Sequence, residues 1–240
     1  MPLCDGVVQK ENGSTTQWLF EQMLDRIQQG VWPVGSKLPG ERTLMTEFQV
    51  SRVPLRESLS MLRALGVLDI GHGRKSLVRQ IDSDILGRLF PLMLSMKGPG
   101  TFRQVFEVRL AIECQTAYLA AQRRGEEDLV HLDVLVARQG RAIGHSVEEA
   151  VEADHEFHET IGQATGNPLF PILLKALSGF VIYAQWQSFE HDMERARQSV
   201  AAHGAIVEAI RAQDSQWARA AMEAHLRYAA ASVFQNEEAK

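Results

Sequence analysis

Residues 38–79 read LPGERTLMTEFQVSRVPLRESLSMLRALGVLDIGHGRKSLVR, and this stretch decides the fold of the first part of the chain. Two short helical patterns flank a tight turn at Phe48-Gln49-Val50, and a glycine-bounded pair of short extended segments follows, with basic residues at its tip. Helix, turn, helix and basic hairpin in that order predict a winged helix-turn-helix, which can set one helix in the major groove of DNA and the wing beside it. Ser51 precedes the apolar run Leu55, Leu59, Leu62, Leu65, so it is the expected N-cap of the second helix. Pro54 falls in the first turn, where its missing N–H costs little. The helix then starts near Arg52, and its N-terminal face offers Ser51, Arg52 and Arg56 to base edges and phosphates. Arg42 opens the preceding helix, placed to meet the phosphate backbone. Gly66 closes the recognition helix. Strands are expected over 67–70 and 77–79, with Gly71-His72-Gly73-Arg74-Lys75 between them.

Working outward, residues 1–13 are polar and read as a flexible tail. Leu19, Met23, Leu24 and Ile27 mark an amphipathic helix over 15–29, so the DNA-reading domain spans 14–80. Residues 81–100 read as a linker: a helix over 84–96 that contains Pro91, then the break Lys97-Gly98-Pro99-Gly100. From Thr101 to 234 the pattern is helical throughout, with helices expected over 101–123, 126–143, 147–165, 168–189, 191–212 and 215–234. Gly125, Gly144 and Gly166-Asn167-Pro168 separate them, and runs at strand period are missing. The chain is therefore mainly α, a winged helix-turn-helix followed by an all-α helical bundle.

The net charge of −5 does not suit a DNA binder until it is divided along the chain. Residues 48–80 hold six basic and two acidic residues, a local +4, whereas residues 81–240 hold fifteen and twenty-two, or −7. The positive charge stands where phosphates would lie, and the acidic remainder steers DNA to that face. Cys4 and Cys114 form no framework and are expected to be free thiols. No apolar run nears the roughly 20 residues of a membrane helix, and the start carries no signal pattern, so a cytoplasmic location away from membranes is expected.

Asp154 and His158, four residues apart, share one helix face and can hold a divalent metal. His203 and His225 lie on later helices among small or apolar neighbours, which directs them inward, where bundles build metal sites. The alternative is that these histidines are hydrogen-bonded core residues. Arg109, amid Val105, Phe106, Val108, Leu110 and Ile112, would clamp a carboxylate beside such a site, or else pair with Glu113 four residues on. Asn167 before Pro168 reads as a helix cap. His155-Glu156-Phe157-His158 lacks the metalloprotease spacing, and no nucleophile elbow, P-loop or dinucleotide fingerprint is present. A metal-dependent hydrolase would need a spare carboxylate, for which Glu152 and Glu208 are candidates. A purely structural metal is a further alternative.

Residues 15–80 resemble the N-terminal domain of the GntR family of bacterial transcription regulators. The resemblance rests on Leu38-Pro39-Gly40-Glu41-Arg42, on Val50-Ser51-Arg52-Val53-Pro54-Leu55-Arg56-Glu57 and on His72-Gly73. It implies DNA contacts by Arg42, Ser51, Arg52, Arg56, His72 and Gly73. Gln49 departs from the glycine usual at that turn; a left-handed Gln costs about 1 kcal/mol relative to Gly. Residues 101–234 resemble the FCD ligand-binding domain of the FadR subfamily, through Glu107-Val108-Arg109-Leu110 with Glu113, Asp154 with Phe157-His158, Gly166-Asn167 and the two later histidine-bearing helices. Many such domains hold a metal with one Asp and three His, which here match Asp154, His158, His203 and His225; the long-chain acyl-CoA-sensing members lack this set. The resemblance implies a homodimeric regulator, a repressor, on double-stranded operator DNA. Its divalent metal would be zinc, with nickel or manganese as alternatives, and its effector a small sugar or hydroxy acid held in part by Arg109.

Overall fold

The computed structural model describes residues 14–69, 76–80, 84–97 and 100–238. The chain divides into two compact units, 1–85 and 86–240.

The first unit contains α1 (Thr15–Gln28), α2 (Glu41–Glu47), α3 (Arg52–Ala64), β1 (Leu68–Asp69) and β2 (Leu77–Val78). Ser14 caps α1 by accepting from the Gln17 N–H. Gln49 adopts φ 53° at the turn between α2 and α3. The Val50 N–H returns to the Met45 carbonyl at 3.1 Å, so the left-handed residue closes α2 in a Schellman-type cap. Gly66, at φ 69°, does the same for α3, with Val67 N–H on Leu62 O and Gly66 N–H on Arg63 O. These two reversals set α3 against α2 at one end and launch β1 at the other.

Leu55, Leu59 and Leu62 enter a core with Leu19, Met23, Leu38, Leu44, Phe48, Val67, Leu68 and Val78. Leu65, read from the sequence as a fourth member of that run, is 37 % exposed, because it is the C-cap and the chain turns away there. Ser58 ties α3 to α1 through its hydroxyl, which donates to Thr16 O at 2.7 Å. The strands pair antiparallel, Leu68 with Val78 and Asp69 with Leu77. Residues 35–38 run along the other side of β2: Leu38 N–H bonds Ser76 O, Val78 N–H bonds Ser36 O, and Gly35 N–H bonds Val78 O. The sequence carries no alternation to announce that pairing. The wing tip, with His72 and Gly73, and the tail with Cys4 lie outside the described residues.

The second unit is all α: α4 (Asp84–Ser95, from Leu86 onward), α5 (Thr101–Arg123), α6 (Glu126–Ala142), α7 (Val147–Ala164), α8 (Leu169–His191), α9 (Met193–Arg211) and α10 (Ser215–Glu238). Helix α8 runs two residues beyond the expected end, and Asp192 caps α9 by accepting from Arg195 N–H. Asn167 accepts from Leu169 N–H at 3.1 Å, the cap read from Asn167-Pro168. The main core joins α5, α6, α7, α9 and α10 through Phe106, Leu129, Leu132, Leu135, Phe157, Ile161, Ile206, Ile210, Met222 and Leu226. Helix α4 carries Pro91 inside it, which cannot donate to the Gly87 carbonyl. That carbonyl faces α8 at Gly179, where an added Cβ would stand 2.5 Å from Gly87 O and 2.8 Å from Pro91 Cγ. Only glycine lets the two helices approach this closely. Among the described residues no helix is long and apolar enough to cross a membrane.

Candidate functional site

In the first unit Arg42, Ser51, Arg52 and Arg56 are all exposed, on the N-terminal turns of α2 and α3. Ser51 is the N-cap of α3 by backbone position, at φ −79° and ψ 171°, but its side chain makes no capping hydrogen bond. The first turn of α3 is thus left without a side-chain cap, and an uncapped helix N-terminus offers N–H groups suited to an anion. Arg56 Nε lies 3.2 Å from Glu41 Oε2 on α2. Both side chains are well exposed, so the pair contributes little to stability.

The second unit brings together four side chains from three helices. Asp154 and His158 come from α7, His203 from α9 and His225 from α10. Relative exposures are 1 %, 2 %, 0 % and 5 %. His203 Nε2 stands 3.2 Å from His225 Nε2 and 3.6 Å from Asp154 Oδ1. His158 Nε2 is 3.9 Å from Asp154 Oδ2. Donor atoms of the three histidines all lie within 4.8 Å of one another. Ligands about 2.1 Å from a tetrahedral zinc ion sit roughly 3.4 Å apart, close to the 3.2 and 3.6 Å separations at His203 Nε2. Phe157 stacks on the His203 ring at 4.0 Å between centroids.

Unpartnered buried atoms gather in and beside the cluster. Among the described residues both ring nitrogens of His158, His225 Nδ1 and Glu113 Oε2 are buried without a hydrogen-bond partner, which a buried polar group ordinarily avoids. Burial, then the neighbouring His225, His158 and Arg109, drives the His203 pKa well below its ordinary value. Burial, followed by His158, lowers His225 to about 4. Both rings are therefore neutral near neutral pH, the form in which imidazole binds a cation.

Behind the cluster stands a carboxylate that the sequence did not connect with His158. Glu113 Oε1 accepts from Arg109 Nε at 2.5 Å. Its Oε2 lies 2.5 Å from His158 Nδ1, a close contact off the line of an ideal hydrogen bond. Burial pushes the Glu113 pKa up, but Arg109 and His158 outweigh it and hold the carboxyl well below the usual carboxylate range. The ionised group steers the Nε2 of His158 toward Asp154, the carboxylate–histidine pairing found behind metal ligands. Arg109 is buried and committed through its Nε to Glu113. Its position on α5 follows the run Phe106, Arg109, Glu113, Ala117, all buried at helical spacing. Gln139 is the second residue not foreseen; it reaches the cluster from α6 and is 1 % exposed.

The carboxylates that a hydrolase would require are elsewhere. Glu152 pairs with Arg138, which also meets Glu149 and Glu156. Glu208 is 62 % exposed and pairs with Arg211. Exposed His131 and His145 stand apart from the cluster, and the His191 side chain lies outside the described residues. Cys114 is a buried free thiol whose pKa burial raises to about 11, so it is inert near neutral pH.

A surface-borne reading helix in one unit and a buried imidazole–carboxylate cluster in the other define a DNA-binding regulator with a helical second domain. Two family models account for both units: the gntR family of bacterial regulatory proteins over residues 15–78 and the FCD domain over residues 104–228. The chain belongs to the GntR family of regulators, in the group that carries an FCD domain, and is a transcriptional regulator, not an enzyme. It is 28 % identical over 220 residues to the HTH-type transcriptional repressor NanR of Klebsiella aerogenes, covering 90 % of this chain and 84 % of that one. It is 29 % identical over 216 residues to the repressor of the same name from Escherichia coli, covering 89 % and 81 %. The solved structure of a Streptococcus agalactiae GntR superposes with a TM-score of 0.67 at 26 % identity, over 90 % of this chain and 99 % of that one. E. coli McbR/YncC, at TM-score 0.53 and 16 % identity, shares the fold.

Proposed function

We propose that the chain is a metabolite-responsive repressor whose second unit senses a small carboxylic acid at a divalent metal. The observation that carries this reading is the buried convergence of His158, His203 and His225, with the Asp154 carboxylate 3.6 Å from His203 Nε2 and 3.9 Å from His158 Nε2. Zinc suits three imidazoles and one carboxylate, and nickel or manganese accept the same donors. When bound, the metal supplies a Lewis-acidic point at which a carboxylate or hydroxyl can attach. Asp154 and the histidines hold the ion, Glu113 orients His158, and the Nη edge of Arg109 receives the acid's other end.

DNA is read by Arg52 and Arg56 at base edges and phosphates, with Arg42 and Ser51 on the backbone and His72 and Gly73 in the wing. Similarity to proteins named as repressors supports repression. A single winged helix buries a small interface, so two copies of this chain pair on a two-fold operator. Effector binding shifts the placement of the paired DNA-reading units and thereby changes operator fit.

A second reading has its own observation: the donors are almost wholly buried, as in a closed structural zinc site with no open position. One experiment separates the two. A duplex selected from a random pool is titrated by gel shift with and without small sugar and hydroxy acids, before and after a chelator. A sensor loses the acid's effect on operator affinity when the metal is removed. A structural metal leaves the acids without effect in either condition.

A further inference from the structure

We infer that Gln139 is a positioning residue of the metal centre, binding Asp154 and His203 through opposite ends of one side-chain amide. This inference deepens the metal reading above and rests on it. Gln139 Nε2 donates to Asp154 Oδ1 at 3.0 Å, and Gln139 Oε1 meets His203 Nδ1 at 2.8 Å. All three side chains are buried. The roles are forced in sequence. A carboxylate offers only acceptors, so the amide end facing Asp154 is the NH2 group. The end facing His203 is then the carbonyl oxygen, which only accepts. His203 must therefore carry its hydrogen on Nδ1, which leaves Nε2 with a lone pair. That Nε2 is the atom 3.6 Å from Asp154 Oδ1 and 3.2 Å from His225 Nε2. One amide thus selects the tautomer of one ligand and fixes the rotation of another. It does so from α6, which contributes no ligand itself among the described residues.

The arrangement complements Glu113, which faces the Nδ1 of His158 from α5. An apolar side chain at 139 would fill the space and leave the His203 ring free to choose either tautomer. Asp154 would lose a donor and could turn from the cluster. Partners of metal ligands removed in this way commonly weaken metal binding by roughly 10- to 100-fold.

Gln139→Met keeps the length of the side chain and removes both polar ends. Zinc affinity of the full chain is measured by competition with a chromophoric chelator, with circular dichroism confirming the fold. The expected result is zinc binding weakened by about tenfold or more; equal affinity in the two chains overturns the inference. Gln139→Glu keeps an acceptor for His203 and loses the donor toward Asp154, so it should retain the tautomer while still binding zinc more weakly. The tautomer itself is read on the metal-free wild-type chain by long-range nitrogen–proton correlation of the imidazoles. Hydrogen on Nδ1 of His203 is expected. Hydrogen on Nε2 overturns the inference even where the Met variant fails to fold. A wild-type chain that holds no zinc, nickel or manganese refutes the metal reading separately, because the tautomer measurement does not depend on a metal.

Discussion

The two units solve opposite problems with charge. The first keeps Arg42, Arg52 and Arg56 on its surface around a core made of apolar side chains. The second draws Arg109, Glu113, Asp154, His158, His203 and His225 into its interior. A surface that meets DNA needs its cations hydrated and free to move, and each costs the fold little. A buried cluster must hold every polar atom in place, because an unpaired charge in the interior is expensive. Substitutions at the DNA-reading face should therefore change binding and spare stability. Substitutions at the buried cluster should strike stability first.

The largest effect is expected at Glu113. Glu113→Ala leaves the Arg109 guanidinium buried without its carboxylate, which typically costs about 3–5 kcal/mol. A urea titration followed by fluorescence should show the second unit melting early while the first is unmoved. A shift below about 1 kcal/mol would mean that the charge is solvated and that the contrast between the units is weaker than drawn.

Gly179→Ala probes packing without any charge. The added Cβ would meet backbone at Gly87, so α4 or α8 must move, at a cost of about 1–3 kcal/mol. Calorimetry should register a lower Tm for the second unit; an unchanged Tm would show that the α4–α8 crossing relaxes freely.

Arg52→Ala tests the other side of the comparison. Operator affinity should fall by about 1–3 kcal/mol at fixed salt, with thermal stability within about 0.5 kcal/mol of wild type. Unchanged affinity in a gel-shift titration would remove Arg52 from the reading face.

The smallest effect is reserved for Glu41→Gln, which releases Arg56 from its exposed ion pair. Stability should change by less than about 1 kcal/mol. Operator affinity should hold or rise slightly as Arg56 becomes free for phosphate, so a clear loss of affinity would show that Glu41 positions Arg56 for DNA.

The contrast also explains what the sequence made legible. In the first unit the residues proposed to meet DNA lie within one short stretch of sequence, and local rules shape that stretch: the left-handed turn at Gln49, the glycine at 66 and the run Leu55, Leu59, Leu62. Helix boundaries in the second unit were equally readable, since Gly125, Gly144 and Gly166 stand between its helices. Asp154 with His158 was readable because i, i+4 is a local relation, and the inward turn of His203 and His225 followed from their neighbours. Gln139 escaped because it sits in Ala137-Arg138-Gln139-Gly140-Arg141, where polar residue types suggest surface. Its signal was positional: Leu132, Leu135, Gln139 and Ala142 follow one buried stripe. Glu113 escaped for a related reason. Its link to Arg109 is local, whereas its approach to His158 joins α5 to α7 and exists only after folding. The pairing of 35–38 with β2 is likewise long-range and made through backbone atoms, which carry no residue-type signature.

On the proposed reading, the buried cluster of the second unit is a metal centre. Its most direct test is elemental analysis of the chain purified without added metal or chelator, alongside His203→Ala. Close to one divalent ion per chain is expected in the wild type and almost none in the variant, with the first unit still folded and binding DNA. Equal metal content in the two, or none in either after supply of zinc, nickel and manganese, would contradict it and leave these histidines as core residues of an all-α domain.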